Sequence, residues 1–85
     1  MKVVIEIGRV YYDRILSQVA EQDALVSVLK SAATLRRWED GAEVEHMVLV
    51  CAAESARRIA RITREFAPDV AAVIERSIYL SQLPW

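Results

Sequence analysis

The chain has 85 residues, 11 Lys and Arg against 12 Asp and Glu, and a single His, for a formal net charge of −1. That length holds one domain, residues 1–85, which buries only about 60–65% of the surface its unfolded chain exposes. Apolar residues make up 54% of the sequence and there is one Cys, which excludes a disordered chain and an internal disulfide.

The longest apolar run, Met47–Ala53, is seven residues, well short of the roughly 18–20 of a membrane span. The start lacks the charged, apolar and small-residue segments of a signal peptide. The expectation is a cytoplasmic protein with no membrane partner. Two Gly and two Pro imply short loops and mostly regular structure.

Met1-Lys2-Val3-Val4-Ile5-Glu6-Ile7 is rich in β-branched residues. Val3, Ile5 and Ile7 share one parity, and Lys2, Val4 and Glu6 the other. This predicts a half-buried strand ended by Gly8.

From Arg9 to Trp38 the pattern reads helical. Tyr12, Ile15, Leu16 and Val19 form one stripe; Leu25, Val28, Leu29, Ala32 and Leu35 form another, turned by roughly 140°. Either the chain breaks at Glu21-Gln22-Asp23 with Asp23 as a helix cap, or one helix about 45 Å long serves two surfaces.

Residues 43–66 admit two readings. In the preferred one, Val44–Cys51 is a buried strand, apolar on both faces over Met47–Cys51, and Glu54–Phe66 is a helix. In the other, one helix runs from Gly41 to Phe66, with Asp40 and Glu43 at capping-box spacing. The strand reading is preferred because the N-terminal strand needs a neighbour. Ala67-Pro68-Asp69 ends the helix. A last helix then runs to about Gln82, with a short strand at Val70–Ile74 as the weaker option. The tail is Leu83-Pro84-Trp85.

These elements make an α+β fold: a small β-α-β-α type domain with two strands and three to four helices. The strands would pair in parallel through a right-handed helical crossover. The alternative is an all-α helical bundle.

Catalytic and metal chemistry find little support. His46 and Cys51 are the only residues of their kinds. Five positions apart, they point to opposite faces of a strand or about 140° apart on a helix, so within one element they cannot share a metal or form a nucleophile–base pair. Glu43, Glu45 and His46 read as a solvated end of an element. Gly8-Arg9 lacks the further glycines of a phosphate-binding loop. No catalytic residue, metal ligand or cofactor is therefore expected.

Arg57, Arg58, Arg61 and Arg64 are the strongest charge feature, and Arg57, Arg61 and Arg64 share a helical face. Such a stripe suits phosphates, although Glu54 and Glu65 lie within neutralising distance. The basic pair Arg36-Arg37 beside Trp38 is cancelled by Glu39-Asp40. Tyr11, Tyr12 and Tyr79 adjoin apolar stripes and read as helix anchors. Trp85 beside Leu83 is a candidate anchor for a partner.

The leading expectation is a non-enzymatic protein-interaction or regulatory module acting as a small homo-oligomer, with another protein as a further partner. Leu25, Val28, Leu29 and Ala32 would form a helical interface, with Val4 near a sheet edge. The candidate interaction residues are Arg57, Arg61, Arg64 and Trp85. The second expectation is a nucleic-acid-associated protein using the Arg face of residues 57–64. A third is a sensor with a small ligand near Tyr12 or His46.

Overall fold

The computed structural model describes residues 1–84; Trp85 lies outside the described residues. The N-terminal alternation forms strand β1 (Lys2–Gly8), whose Val3, Ile5 and Ile7 enter the core while Val4 stays open. Helix α1 (Arg9–Ser17) follows without a loop. Gly8 has an ordinary φ of −57°. A Cβ there would lie 3.3 Å from Cδ2 of the Tyr11 ring, so the strand-to-helix corner is tight by close approach rather than by a left-handed backbone.

Tyr12 and Ile15 of α1 are buried. The chain breaks over 18–23, and Asp23 caps helix α2 (Ala24–Lys30) by accepting the Leu25 amide at 2.9 Å. This break resolves the two stripes. Because the chain bends at Asp23, Leu25 and Leu29 meet Tyr12 and Ile15 in the same core. The Tyr12 hydroxyl donates to the Leu29 carbonyl at 2.6 Å, satisfying both groups within apolar surroundings.

Strand β2 (Ala33–Glu39) and strand β3 (Ala42–Ala52) form a hairpin around Asp40-Gly41. Both turn residues have positive φ, 52° and 78°, the geometry of a two-residue turn that follows the strand twist. The sheet order is β1-β3-β2 and both ladders are antiparallel. Ile5 sits opposite Leu49, and Leu35 opposite His46.

Helix α3 (Ala53–Arg64) leaves β3 directly, and helix α4 (Pro68–Ser81) begins on its proline. They bury Ala56, Ile59, Ala60 and Thr63 against Ala71, Ile74 and Ile78. Alanines at this crossing let the two backbones approach closely. The Thr63 hydroxyl donates to the Ile59 carbonyl at 2.7 Å, so this buried polar group is satisfied.

The result is a small α+β domain with four helices and a three-stranded antiparallel sheet among the described residues. Three expectations are corrected. The described residues form three strands, not two. β1 and β3 pair antiparallel, because β2 reverses the chain between them. Residues 33–38 are extended rather than helical, because the Asp40-Gly41 turn lays them beside β3. Val44–Cys51 is extended and Val70–Ile74 lies inside α4, so the all-α alternative and the late-strand option both fall away.

Candidate functional site

Strand parity divides the sheet into two faces. Met47, Leu49 and Cys51 of β3, with Val3, Ile5 and Ile7 of β1, face the helices and are buried. The opposite parity carries Val4, Glu6, Val44, His46, Val48 and Val50, joined by Leu35 and Arg37 of β2. Among the described residues, no element covers this outer face. Val4 is 59% exposed, Val50 55% and Leu35 38%. β2 is exposed along its whole length, and Trp38 is 76% exposed. The hairpin therefore projects past the helical layer.

A polar cluster lies in the middle of the outer face. Arg37 reaches across β3 and donates to both Glu6 oxygens, at 2.6 and 2.9 Å. His46 stands between two carboxylates, its Nδ1 2.8 Å from Glu6 and its Nε2 3.4 Å from Glu39. Hydrogen bonding from Arg37 holds the Glu6 carboxyl below its usual range, with the charge of His46 adding to the effect. Val4, Val48 and Val50 lie on one side of this cluster.

The other sequence-predicted residues are dispersed. Leu25 and Leu29 are 2% and 0% exposed, and Val28 and Ala32 pack partly buried beside them. That helical surface is taken up by the chain's own core, and within the proposed set only Val4 stands open. Arg58 forms two hydrogen bonds to Asp23, at 3.0 and 2.7 Å. Those bonds, with the Leu25 amide, lower the Asp23 pKa to about 2.

Arg64 pairs with Glu75. Arg57 and Arg61 share grooves with Glu75 between α3 and α4. Among the described residues neither has a carboxylate within ion-pair distance. Trp85 lies outside the described residues. Burial raises the Cys51 thiol pKa, as expected of a packed rather than a reactive cysteine.

An open cleft of about 570 Å³ lies where β1 gives way to α1, between Gly8, Val10 and Tyr11 on one side and Glu43–His46 on another, with Val70 and Val73 of α4. Sequence reasoning reaches His46 but neither strand β2 nor this cleft. The available signal is Asp40-Gly41 between two strand-length segments, a strong hairpin signature.

Among the described residues, no cluster of three or more His, Cys, Asp or Glu is placed to hold a metal ion, and no helix is long and apolar enough to cross a membrane. Compared with protein-family models, curated proteins and solved structures, the chain matches none of them.

Proposed function

We propose that this protein is a non-enzymatic interaction module that assembles with a second copy of itself, using the bare outer face of its sheet. The observation that carries this reading is the exposure of Val4 and Val50, opposite each other on neighbouring strands with Val48 beside them. A sheet face turned permanently to water normally alternates to polar residues, and a contiguous apolar patch favours an interface. A two-fold axis through such a face would bring like residues of two copies together. Arg37 and Glu6 in its centre already pair with each other, so covering the face does not leave that carboxylate without a partner. The single buried thiol of Cys51 fits a reducing, cytoplasmic setting.

Sedimentation equilibrium tests the reading. At ~100 μM, a concentration that reveals a dimer with Kd of tens of μM, the protein is expected to be dimeric. Val50→Glu is expected to give a folded monomer, because its side chain lies outside the core. A folded monomer for the unmodified chain would overturn the proposal.

A second reading, nucleic-acid binding, is favoured by the exposed guanidinium groups of Arg57 and Arg61. It expects salt-sensitive binding. Replacing Arg57, Arg61 or Arg64 by Ala should flatten the log–log salt slope by roughly 0.7–0.9 for each phosphate no longer neutralised. Unchanged binding after these substitutions would remove it.

A further inference from the structure

β3 is longer than its neighbours, and its two edges end at different places. On the β2 side its ladder runs down to Ala42, opposite Glu39. On the β1 side it stops at His46, opposite Gly8, because the chain turns there into α1. Alternate residues of a strand direct their backbone groups to opposite sides. Two of the four residues Ala42–Glu45 therefore present N–H and C=O groups beyond the end of β1, where no strand among the described residues pairs with them. Four extended residues span about 13 Å, and the cleft of about 570 Å³ opens along this stretch.

The walls of the cleft indicate what would occupy it. Glu43 and Glu45 alternate with Val44 along the open edge, and Glu39 also lines the cleft. The chain's own cations hold these acids loosely. Arg36 is 3.9 Å from Glu43 and Arg9 is 3.9 Å from Glu45, both too long for hydrogen bonds. The opposite wall carries Val10, Val70 and Val73, with Tyr11 and the Arg9 cation beside them.

We infer that this open edge docks an extended basic peptide segment by strand addition. The main chain of the peptide continues the sheet beside Ala42–Glu45, in line with β1. Its Lys or Arg side chains stand opposite Glu43 and Glu45, where cross-strand pairs of opposite charge are favourable. Their methylene stems lie along the valine wall while the charged heads reach the carboxylates. The backbone edge explains why a peptide fits better than a compact ligand, and the acids explain why it is basic. This inference does not depend on self-association through the outer face.

Amide shifts of the intact chain, titrated with a blocked peptide alternating Val and Arg, test the inference. The shifts are expected to centre on residues 42–45 and on Val10, Val70 and Val73. A peptide with Glu in place of Arg is expected to bind at least about tenfold more weakly. Of two peptides N-methylated on alternate residues, one is expected to fail, because its donors to the edge are gone. Glu43→Gln with Glu45→Gln should weaken binding about fivefold or more without unfolding, since both side chains are exposed. No shift at residues 42–45 with about 1 mM peptide, or equal binding by the Arg and Glu peptides, would overturn the inference. So would amides at 42–45 that are already protected from exchange by a second copy, which would assign the edge to self-assembly instead.

Discussion

The two faces of the sheet are built from similar residues and meet opposite fates. Val3 and Val4 are neighbours in sequence, yet Val3 is fully packed and Val4 mostly open. The same contrast separates Leu49 from Val50. Burial here follows strand parity and the position of the helices, not residue type. The inner face receives α1, α2, α3 and α4; the outer face receives nothing from the described residues. An apolar residue on the inner face is explained by folding alone, whereas one on the outer face is explained only under the proposed assembly. The contrast is therefore testable by substituting equivalent residues on the two faces and reading folding and assembly separately.

The largest effect is expected on the inner face. Ile5→Ala and Leu49→Ala remove fully buried side chains and should cost about 2–5 kcal/mol of folding stability. Val4→Ala and Val50→Ala, measured in dilute monomer, should change stability by roughly 0.5 kcal/mol or less. Urea unfolding of the four variants checks this. Equal losses on both faces would mean that the outer valines are packed within the single chain.

Tyr12→Phe is expected to have an intermediate effect. The hydroxyl is buried and donates to the Leu29 carbonyl across the α1–α2 bend. Removing it takes away one of two hydrogen bonds to that carbonyl, which still accepts from the Ala32 amide at 3.2 Å, so the cost should be about 0.5–1.5 kcal/mol. Because α2 has only seven residues, exchange of its amides should rise more than exchange in α3.

The other tie on α2 is sensitive to acid. Asp23 has a pKa lowered from 3.8 to about 2 by its bonds to Arg58 and the Leu25 amide. A carboxyl whose folded pKa is depressed stabilises the fold above its unfolded value and loses that contribution as pH falls through the folded value. The thermal midpoint should thus decline between about pH 4 and pH 2, and Asp23→Asn should flatten this decline while lowering the plateau above it. An unchanged acid limb in the variant would assign the decline to other carboxylates.

The sequence reveals these features unevenly, and for physical reasons. β1 is legible because Val3, Ile5 and Ile7 alternate with residues outside the core. The bend at Asp23 is legible because two apolar stripes go out of phase there, and a straight helix cannot bring both to one small core. β2 is not. Leu35, Arg36, Arg37 and Glu39 favour helix, and a strand exposed on both faces has no apolar alternation to betray it. Leu35 also falls in phase with the α2 stripe and extends it falsely. Without β2 the direction of β3 reverses, so antiparallel pairing reads as parallel.

The placement of Leu25 and Leu29 follows from the same bend. Leu25 and Leu29 face away from Ile15 only while the chain is taken as straight. The cleft beside Ala42–Glu45 arises from unequal strand lengths, which depend on tertiary register rather than on any local motif.

The smallest effect in the free monomer, and the most informative about the outer face, concerns Arg37 and Glu6. Their paired hydrogen bonds lie on the solvent side of the sheet, with side chains 49% and 33% exposed. Water screens such a pair, so Arg37→Ala should hardly move the unfolding midpoint of dilute protein. Covering the face with a second copy changes the balance. The variant would then bury the Glu6 carboxylate without its guanidinium partner, and a buried charge stripped of its partner is strongly unfavourable. Arg37→Ala is thus expected to weaken assembly by about tenfold or more while leaving the monomer nearly unchanged. The pH dependence has a definite sign. Glu6 titrates below its usual range because of Arg37, so its contribution is present above the ordinary glutamate pKa and fades as pH falls through the lowered value. In the variant the sign reverses: protonating a Glu6 carboxyl that lacks its guanidinium partner removes the buried charge, so assembly should recover as pH falls. Sedimentation of both proteins from pH 7 to pH 4 measures the two effects together. An assembly that tolerates Arg37→Ala across this range would place the interface away from the centre of the outer face.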